Sequence, residues 1–288
     1  MLVLEEILEN LVEKAFKIRK QVLEMTTLVG SGHPGGSLSC VEILVTLYFH
    51  VMRHNPKDPQ WPDRDRFILS KGHAAPALYA TLAEAGYFPI DELKKFRTFG
   101  SILQGHPDRN RTPGVENSSG SLGMGLSIAN GIALAGKLDG RNYRVYVLLG
   151  DGECNEGLVW EAAMASAHYK LDNLTAVIDR NGLQIDGPTE TVMSIEPLAA
   201  KWQAFGWHVI NVNGHDIKAL IRAFEEGKRV KYKPTAIIAH TIKGEGVSFM
   251  RWVKDFHGKA LKEAELRKAL DDLQLWYEKM RNNYKSAR

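Results

Sequence analysis

The sequence has few cysteines, no long apolar run and almost no net charge. Its 288 residues include only two cysteines, Cys40 and Cys154. They lack metal-ligand spacing, and a disulfide framework in a chain of this size would use more, so we expect a reduced, cytoplasmic environment. Apolar residues never continue for the roughly eighteen positions of a transmembrane helix, which excludes a membrane span. The N-terminal residues follow an amphipathic helical pattern, unlike a signal peptide.

The nearly balanced charge argues against a nucleic-acid partner. The formal net charge is +3. Residues 251–288 hold ten Lys or Arg and six Asp or Glu, so the rest of the chain is close to neutral. A nucleic-acid binder would show a basic face with interleaved aromatic residues, and no such stripe lies outside this C-terminal segment. We interpret the segment as one solvated face of a helix.

The order of apolar patterns predicts an α/β protein. Strand patterns alternate with helix patterns, which favours a doubly wound, mostly parallel sheet with helices on both faces. We expect one domain over residues 1–288, with a helical tail from about residue 261. The predicted strands are 143–149, 174–178, 207–212 and 236–240. The predicted helices are 1–29, 40–52, 74–85, 121–138, 158–169, two that begin near residues 195 and 217, and the tail.

The stretch GDGECNEG, at residues 150–157, places an acid where a phosphate site is expected. A strand that leads through glycines into a helix typically binds phosphate, which Asp151 would repel unless a cation lay between them. Asn181 follows the next strand, and ligands bind beyond the carboxyl ends of parallel strands. Oxygens of Asp151, Asn181 and the Leu183 carbonyl would supply three positions around Mg²⁺, leaving the others to a diphosphate and water. The alternative is a turn aspartate and a turn asparagine without a ligand.

These residues carry a resemblance to a known family. GDG, followed after 28 residues by Asn181, resembles the thiamine diphosphate fingerprint. The chain is similar to the transketolase family over almost its whole length. The motifs that accompany the fingerprint in transketolase order are SGHPGG (31–36), RDRFILSKGHAAPALYA (64–80), QGHPD (104–108), GVENSSGSLGMGLSIANGIALA (114–135) and FHG (256–258). The resemblance implies the thiamine diphosphate-binding fold, as its diphosphate-binding domain.

The resemblance also implies a cofactor and a metal. It implies that the protein binds thiamine diphosphate together with Mg²⁺, for which Ca²⁺ can substitute. It also implies that Asp151, Asn181 and Leu183 are the metal ligands. The residues implied to bind the cofactor are His73, Gly120, Leu122, Gly152, Asn181, Leu183 and His257. By itself, the glycine-rich stretch around Gly120 and Leu122 would fit the start of a helix with no ligand.

Catalytic roles follow from the resemblance as well. It implies that His33 and His257 lie near the carbon–carbon bond that is broken or made, His106 near the terminal hydroxyl of the donor and His73 near the diphosphate and the reacting centre. Imidazoles with their ordinary pKa would suit proton transfer near neutral pH. The resemblance further places Glu156 and Glu161 in an acidic network across a dimer interface. Alternatively, these acids stabilise the start of a helix.

The implied activity needs a second polypeptide. A full transketolase continues into a pyrimidine-binding and a C-terminal domain, whereas this sequence ends at Arg288. We therefore expect the N-terminal subunit of a split transketolase, which transfers a two-carbon ketol unit from a ketose phosphate to an aldose phosphate, as in the pentose phosphate pathway. Its partner would be a C-terminal subunit with the pyrimidine-binding domain and the glutamate that activates the cofactor. We expect a homodimer without the partner and a heterotetramer with it.

Other interpretations remain open at this point. The alpha subunit of a 2-oxo acid dehydrogenase also binds thiamine diphosphate, but SGHPGG, SKGH and QGHPD resemble transketolase. A nicotinamide dehydrogenase would need G-x-G-x-x-G directly after a strand, which GSLGMG does not provide. A catalytically silent subunit that binds the cofactor is a third alternative. Lys71, which some family members replace with asparagine, would contact phosphate or an acidic partner and leaves the substrate preference open.

Overall fold

A computed structural model describes residues 2–285 and contains one five-stranded, fully parallel sheet. The strand order is β1-β2-β3-β5-β4. Met1, at the start of the first predicted helix, lies outside the described residues. The strands are β1 (Arg66–Leu69), β2 (Val145–Gly150), β3 (Leu174–Arg180), β4 (His208–Asn213) and β5 (Thr235–His240). The parallel sheet and four of its strands confirm the prediction, whereas β1 was not predicted.

Eight helices occupy the predicted segments, with shifts of a few residues at their ends, whereas the short helices Pro34–Leu38 and Thr189–Val192 were not predicted. The α-helices are α1 (Leu2–Leu28), α2 (Pro34–Leu38), α3 (Val41–Thr46), α4 (Ala75–Glu84), α5 (Met124–Leu138), α6 (Gly157–His168), α7 (Thr189–Val192), α8 (Leu198–Ala204), α9 (Ile217–Arg229) and α10 (Glu263–Lys285). A π-helical turn, Leu47–Val51, continues α3. Helix α5 begins three residues later than predicted because Gly123, at φ 86°, has a left-handed conformation that a helix does not contain.

Two apolar cores lie on opposite faces of the sheet. On β2, Tyr146 and Leu148 pack into a core with α1, α3, α4 and α9. Val145, Val147 and Leu149 point to the other face, which α5, α6 and α8 cover. This alternation is the period-two pattern of a strand that is buried on both sides. Helices on both faces confirm the predicted doubly wound fold.

The C-terminal helix is part of the first core. Helix α10 packs along α1, and Leu266, Ala269 and Leu273 are buried there. The Arg19 guanidinium lies 4.3 Å from the centroid of the Trp276 ring. The charged pattern of this segment therefore marks only its outer face. No helix among residues 2–285 is long and apolar enough to cross a membrane, and Cys40 and Cys154 are free and buried.

The parallel topology decides where polar residues from different strands meet. Gly150, the last residue of β2, pairs in register with Asp179 on β3. The residues that follow these two positions, Asp151 and Asn181, therefore leave the sheet side by side at its carboxyl edge. This is the edge at which ligands bind in parallel α/β sheets.

Candidate active site

A cleft of about 250 Å³ lies at the carboxyl ends of β2 and β3. Most of the residues predicted to bind cofactor or metal line it, namely His73, Leu122, Asp151, Gly152, Asn181, Leu183 and His257, together with Glu156. Hollows of about 290, 440 and 500 Å³ lie elsewhere on the described surface. They are larger, but none of the predicted site residues lines them. Residue chemistry, and not volume, therefore identifies the candidate site.

Asp151 is held in one orientation at the floor of the cleft. Its Oδ1 accepts a hydrogen bond from the Gly152 main-chain N–H at 2.8 Å. Its Oδ2 accepts from the Gly182 N–H at 2.6 Å and from Arg180 Nη1 at 3.0 Å. Burial, and then the like charge of Asp179, raise the pKa of this carboxyl. A further cation in the cleft would favour its ionised form.

The other two predicted metal ligands lie beside Asp151. Asn181 donates to Asp179 Oδ2 at 3.1 Å, and its Oδ1 accepts from the Leu183 N–H at 3.1 Å. The Leu183 carbonyl accepts from Lys243 Nζ at 2.8 Å. Within residues 2–285, no group of three or more His, Cys, Asp and Glu side chains is placed to hold a metal. One carboxylate, one amide and one carbonyl suit a hard cation only if a ligand adds further oxygens.

A buried ion pair lies beneath these ligands. Lys71, which is 1% exposed, donates to Asp179 and to the Gly36 carbonyl, the latter at 2.8 Å. The Asp179 carboxylate also accepts from the hydroxyls of Ser39 and Thr241. Burial raises the pKa of Asp179, but Lys71 and these hydroxyls outweigh burial and hold the pKa below its usual value. The sequence left open whether Lys71 contacts phosphate or an acidic partner, and in the structure it contacts the acid Asp179.

Sequence reasoning missed Lys243, which lies between the metal ligands and the histidines. It donates to the Leu183 carbonyl and lies 2.9 Å from His257 Nδ1. Burial, and then the like charge of Lys71, lower the pKa of Lys243 to about 8. Its position shortly after the carboxyl end of β5 was the signal that could have identified it, because the predicted ligands follow strand ends in the same way.

The four predicted histidines converge from four different loops. His33 lies 5.5 Å from His73, 6.2 Å from His106 and 5.6 Å from His257, measured between ring centroids. His73 and His257 are 4.9 Å apart. The loops follow α1, β1, the Ile90–Lys95 turn and β5, so only the tertiary fold brings the rings together.

The pKa values of these histidines differ from our expectation. Burial, followed by nearby positive charge, lowers the pKa of His33 to about 4 and that of His257 to about 3. The pKa of His73 is well below its usual value, again chiefly through burial, and that of His106 is lowered by burial and by Arg97. The expectation of ordinary imidazole pKa values was therefore wrong. Near neutral pH, all four rings are neutral and each can both accept and donate a hydrogen bond.

Unpaired polar atoms show that the site can take a polar ligand. His33 Nδ1 is buried without a hydrogen-bond partner among the described residues. Asn155 Oδ1 and Gln184 Oε1, both from residues that line the cleft, are likewise buried and unpaired. Because such atoms cost free energy when they have no partner, they fit a ligand rich in hydrogen-bonding groups, as a diphosphate with a metal-bound water would be.

The remaining predicted residues differ in how close they lie to the cleft. Gly120 is beside His106, since a Cβ built on it would lie 3.6 Å from that ring. Glu156 is exposed at the mouth of the cleft, as the N-cap residue of α6. Glu161 is exposed one turn further along α6 and is not among the residues that line the cleft. The described chain thus brings Glu156 to the site but does not bring Glu161 there.

A second residue that sequence reasoning missed is Glu153. Its carboxylate is buried and accepts hydrogen bonds from the Gly123 and Gly150 main-chain N–H groups, both at 2.8 Å, and from the Ser70 hydroxyl. It therefore joins the loops after β1 and β2 to the start of α5. The sequence signal was an acid directly after GDG.

Comparisons with known proteins agree with this geometry. The family model described as "Transketolase, thiamine diphosphate binding domain" matches residues 12–280. A 6-deoxy-6-sulfo-D-fructose transketolase subunit from a Clostridium strain is 45% identical over 92% of this chain and 96% of its own length. One subunit of the apulose-4-phosphate transketolase of Phocaeicola vulgatus is 47% identical over 86% of this chain and 88% of its own length.

Longer relatives match over only part of their length. Human transketolase is 45% identical over 88% of this chain, but the match covers 40% of the human protein. The crystal structure of Pichia stipitis transketolase in complex with sedoheptulose 7-phosphate superposes with a TM-score of 0.86 at 32% identity. That match covers 97% of this chain and 44% of the Pichia chain. The chain thus spans nearly all of the subunit relatives and less than half of the longer transketolases.

Proposed function

The chain belongs to the transketolase family, in which it corresponds to the N-terminal, thiamine diphosphate-binding subunit of a split transketolase, and from this we propose how it works. We propose that it transfers a two-carbon ketol unit from a ketose phosphate to an aldose phosphate, once it is paired with a subunit that carries a pyrimidine-binding domain. The convergence of four neutral imidazoles, of which His73 and His257 line the cleft beside the proposed metal ligands, carries this proposal. The relatives do not favour a 2-oxo acid dehydrogenase subunit.

We propose that Mg²⁺, or Ca²⁺ in its place, joins the cofactor diphosphate to the cleft. Asp151 Oδ, Asn181 Oδ1 and the Leu183 carbonyl would hold the metal. The cleft residues Gly152, Leu122, His73 and His257, together with Gly120 beside His106, would contact the cofactor. The donor set supports this assignment because it is incomplete without oxygens from a ligand. The Lys243 ammonium, which contacts the Leu183 carbonyl, would balance part of the diphosphate charge.

When bound, thiamine diphosphate supplies the carbon nucleophile and takes up the electron pair released on carbon–carbon cleavage. The histidines would transfer protons to and from the substrate hydroxyls. His33 and His257 are close enough to share one substrate oxygen, and each neutral ring can remove a proton from a hydroxyl or return it. We assign His106 to the terminal hydroxyl of the donor and His73 to the diphosphate side of the centre.

The surface around the cleft supports the proposed partner. Leu122 and Ile185 line the cleft, yet they are 37% and 64% exposed, and Met124 and Met193 nearby are 47% and 62% exposed. Large apolar side chains grouped at the mouth of a site typically mark an interface. We propose that the pyrimidine-binding domain covers them, and that Glu156 and Glu161 lie in a contact between two copies of this chain, within a homodimer or a heterotetramer.

We also propose a class of substrate, a domain organisation and a cellular location for this chain. The names of the two subunit relatives refer to 6-deoxy-6-sulfo-D-fructose and apulose 4-phosphate, which both combine a sugar with an anionic group. We propose a sugar phosphate as the substrate of this chain. We further propose that residues 1–288 act as one domain, with a helical tail from about residue 261, in the cytoplasm, where the free Cys40 and Cys154 would stay reduced.

Calorimetry tests the cofactor assignment. Titration of the assembled complex with thiamine diphosphate is expected to give saturable binding with Mg²⁺ and an affinity at least about tenfold lower with a chelator, because Asp151 and the diphosphate repel each other without a cation. Ca²⁺ should restore the binding. Equal affinities with Mg²⁺ and with the chelator would contradict the assignment.

A further inference from the structure

Arg97 joins two of the histidine loops. Its Nη1 donates to the Ser31 hydroxyl at 2.6 Å, two residues before His33. Its Nη2 makes a longer contact of 3.5 Å with the Gly105 carbonyl, next to His106. Its main-chain N–H donates to the Leu103 carbonyl at 2.9 Å. One side chain therefore spans the segments that carry two of the four histidines.

The backbone around Arg97 is adapted to hold the guanidinium in this place. Arg97 has a φ of 56°, which a side-chain-bearing residue adopts at a cost, and its neighbour Phe96 is fully buried. A Cβ on Gly105 would lie 3.1 Å from Arg97 Nε and 3.3 Å from Cζ. The glycine thus lets the guanidinium lie directly against the chain, where Nε is buried without a hydrogen-bond partner among the described residues.

We propose that Arg97 is a positioning residue, whose guanidinium ties the His33 loop to the His106 loop and places one fixed positive charge beside both rings. The proposal rests on the proposed ketol transfer, in which these rings handle substrate protons. A guanidinium suits this role because it stays charged over the whole working pH range.

The charges around the two rings support the proposal. His33 faces the cations Arg97 and Lys243 and the rings of His73, His106 and His257. His106 faces Arg97 and His33. After burial, Arg97 is the strongest influence that lowers the pKa of each ring. Removing this charge should therefore raise both pKa values. The neutral ring is the reactive form. When the solution is acidified, the loss of activity should therefore begin at a higher pH in the variant than in the wild type.

Three variants separate the charge from the hydrogen bond. Arg97→Met removes both, Arg97→Lys keeps the charge and Ser31→Ala removes only the acceptor. Arg229→Met is the matched control, because Arg229 ends α9 near the amino ends of the strands, opposite the cleft. The measurements are the proton NMR titration of the histidine rings in the full chain and the pH profile of kcat/KM for ketol transfer by the complex.

Arg97→Met is expected to raise the titration midpoints of His33 and His106 by about one pH unit and to move the acidic limb of the profile upward by the same amount. Arg97→Lys and Arg229→Met should leave the midpoints unchanged, and Ser31→Ala should lower kcat without moving the limb. Unchanged midpoints in Arg97→Met would overturn the proposal, even if the rate fell. If Arg97→Met does not fold, Arg97→Gln gives the same comparison.

The two measurements distinguish this proposal from the proposed function. If the wild-type complex shows no ketol transfer, the proposed function fails, and the ring titrations in the full chain still decide whether Arg97 acts on His33 and His106. If the wild-type complex is active and the acidic limb of Arg97→Met stays in place, the positioning role fails by itself.

Discussion

Replacing Asp151 with alanine is expected to abolish metal-dependent binding of thiamine diphosphate. The carboxylate is the only charged group among the three proposed metal ligands, so its loss removes the charge that attracts the cation as well as one coordination position. We expect the calorimetric affinity in the presence of Mg²⁺ to fall by about a hundredfold or more, which corresponds to about 2.7 kcal/mol or more.

Asp186→Asn is the control for Asp151→Ala. Asp186 is exposed a few residues beyond Leu183, so its substitution removes a nearby negative charge without touching the proposed ligands. The control should bind cofactor and metal like the wild type. If Asp151→Ala kept wild-type affinity and its dependence on Mg²⁺, the metal assignment would be wrong.

Replacing His257 with alanine is expected to lower kcat for ketol transfer by about 10²-fold or more, the usual scale for loss of a positioned acid or base. The ring is half-buried, lies 5.6 Å from His33 and contacts Lys243, so no water molecule would replace it with the same orientation. Cofactor affinity should change much less than kcat. Steady-state kinetics and calorimetry on the same preparation measure both quantities.

As the pH falls, His33, with a pKa of about 4, is protonated before His257, so His257 contributes to the pH dependence only at lower pH. Because its pKa is lowered to about 3, His257 stays neutral well below pH 6, and its protonation removes activity only as the pH falls toward that value. His168→Ala, on the exposed end of α6, is the control and should keep the wild-type rate. A His257→Ala complex with wild-type kcat would contradict the role that we assign to this ring.

The fold class and the residues at the strand ends of the candidate site were predicted for physical reasons, whereas the histidines were predicted from the family resemblance. Buried parallel strands are continuous apolar runs, and a polar residue directly after such a run can only lie at the carboxyl edge of the sheet. This reasoning placed Asp151 and Asn181 correctly. Strand β1 was missed because its four buried residues, Arg66–Leu69, are too few for a periodic pattern and begin with an arginine.

The contacts made by Lys243, Arg97 and Glu153 could not be predicted from the sequence. Each joins segments that are distant along the chain, for example Arg97 with Ser31 and Glu153 with Ser70. The lowered pKa values of the histidines were inaccessible for the same reason. They arise from burial and from cations on other loops, which only the folded chain brings together.

The most direct test of the central claim is a ketol-transfer assay with three preparations. The assay uses a ketose phosphate donor, an aldose phosphate acceptor, thiamine diphosphate and Mg²⁺. The preparations are this chain, a purified subunit that carries the pyrimidine-binding domain, and their mixture. We predict turnover in the mixture and none above background in either preparation of a single polypeptide, because the glutamate that activates the cofactor would belong to the partner. Substantial turnover by this chain without its partner would contradict the split-enzyme account, and an inactive mixture would favour a catalytically silent subunit.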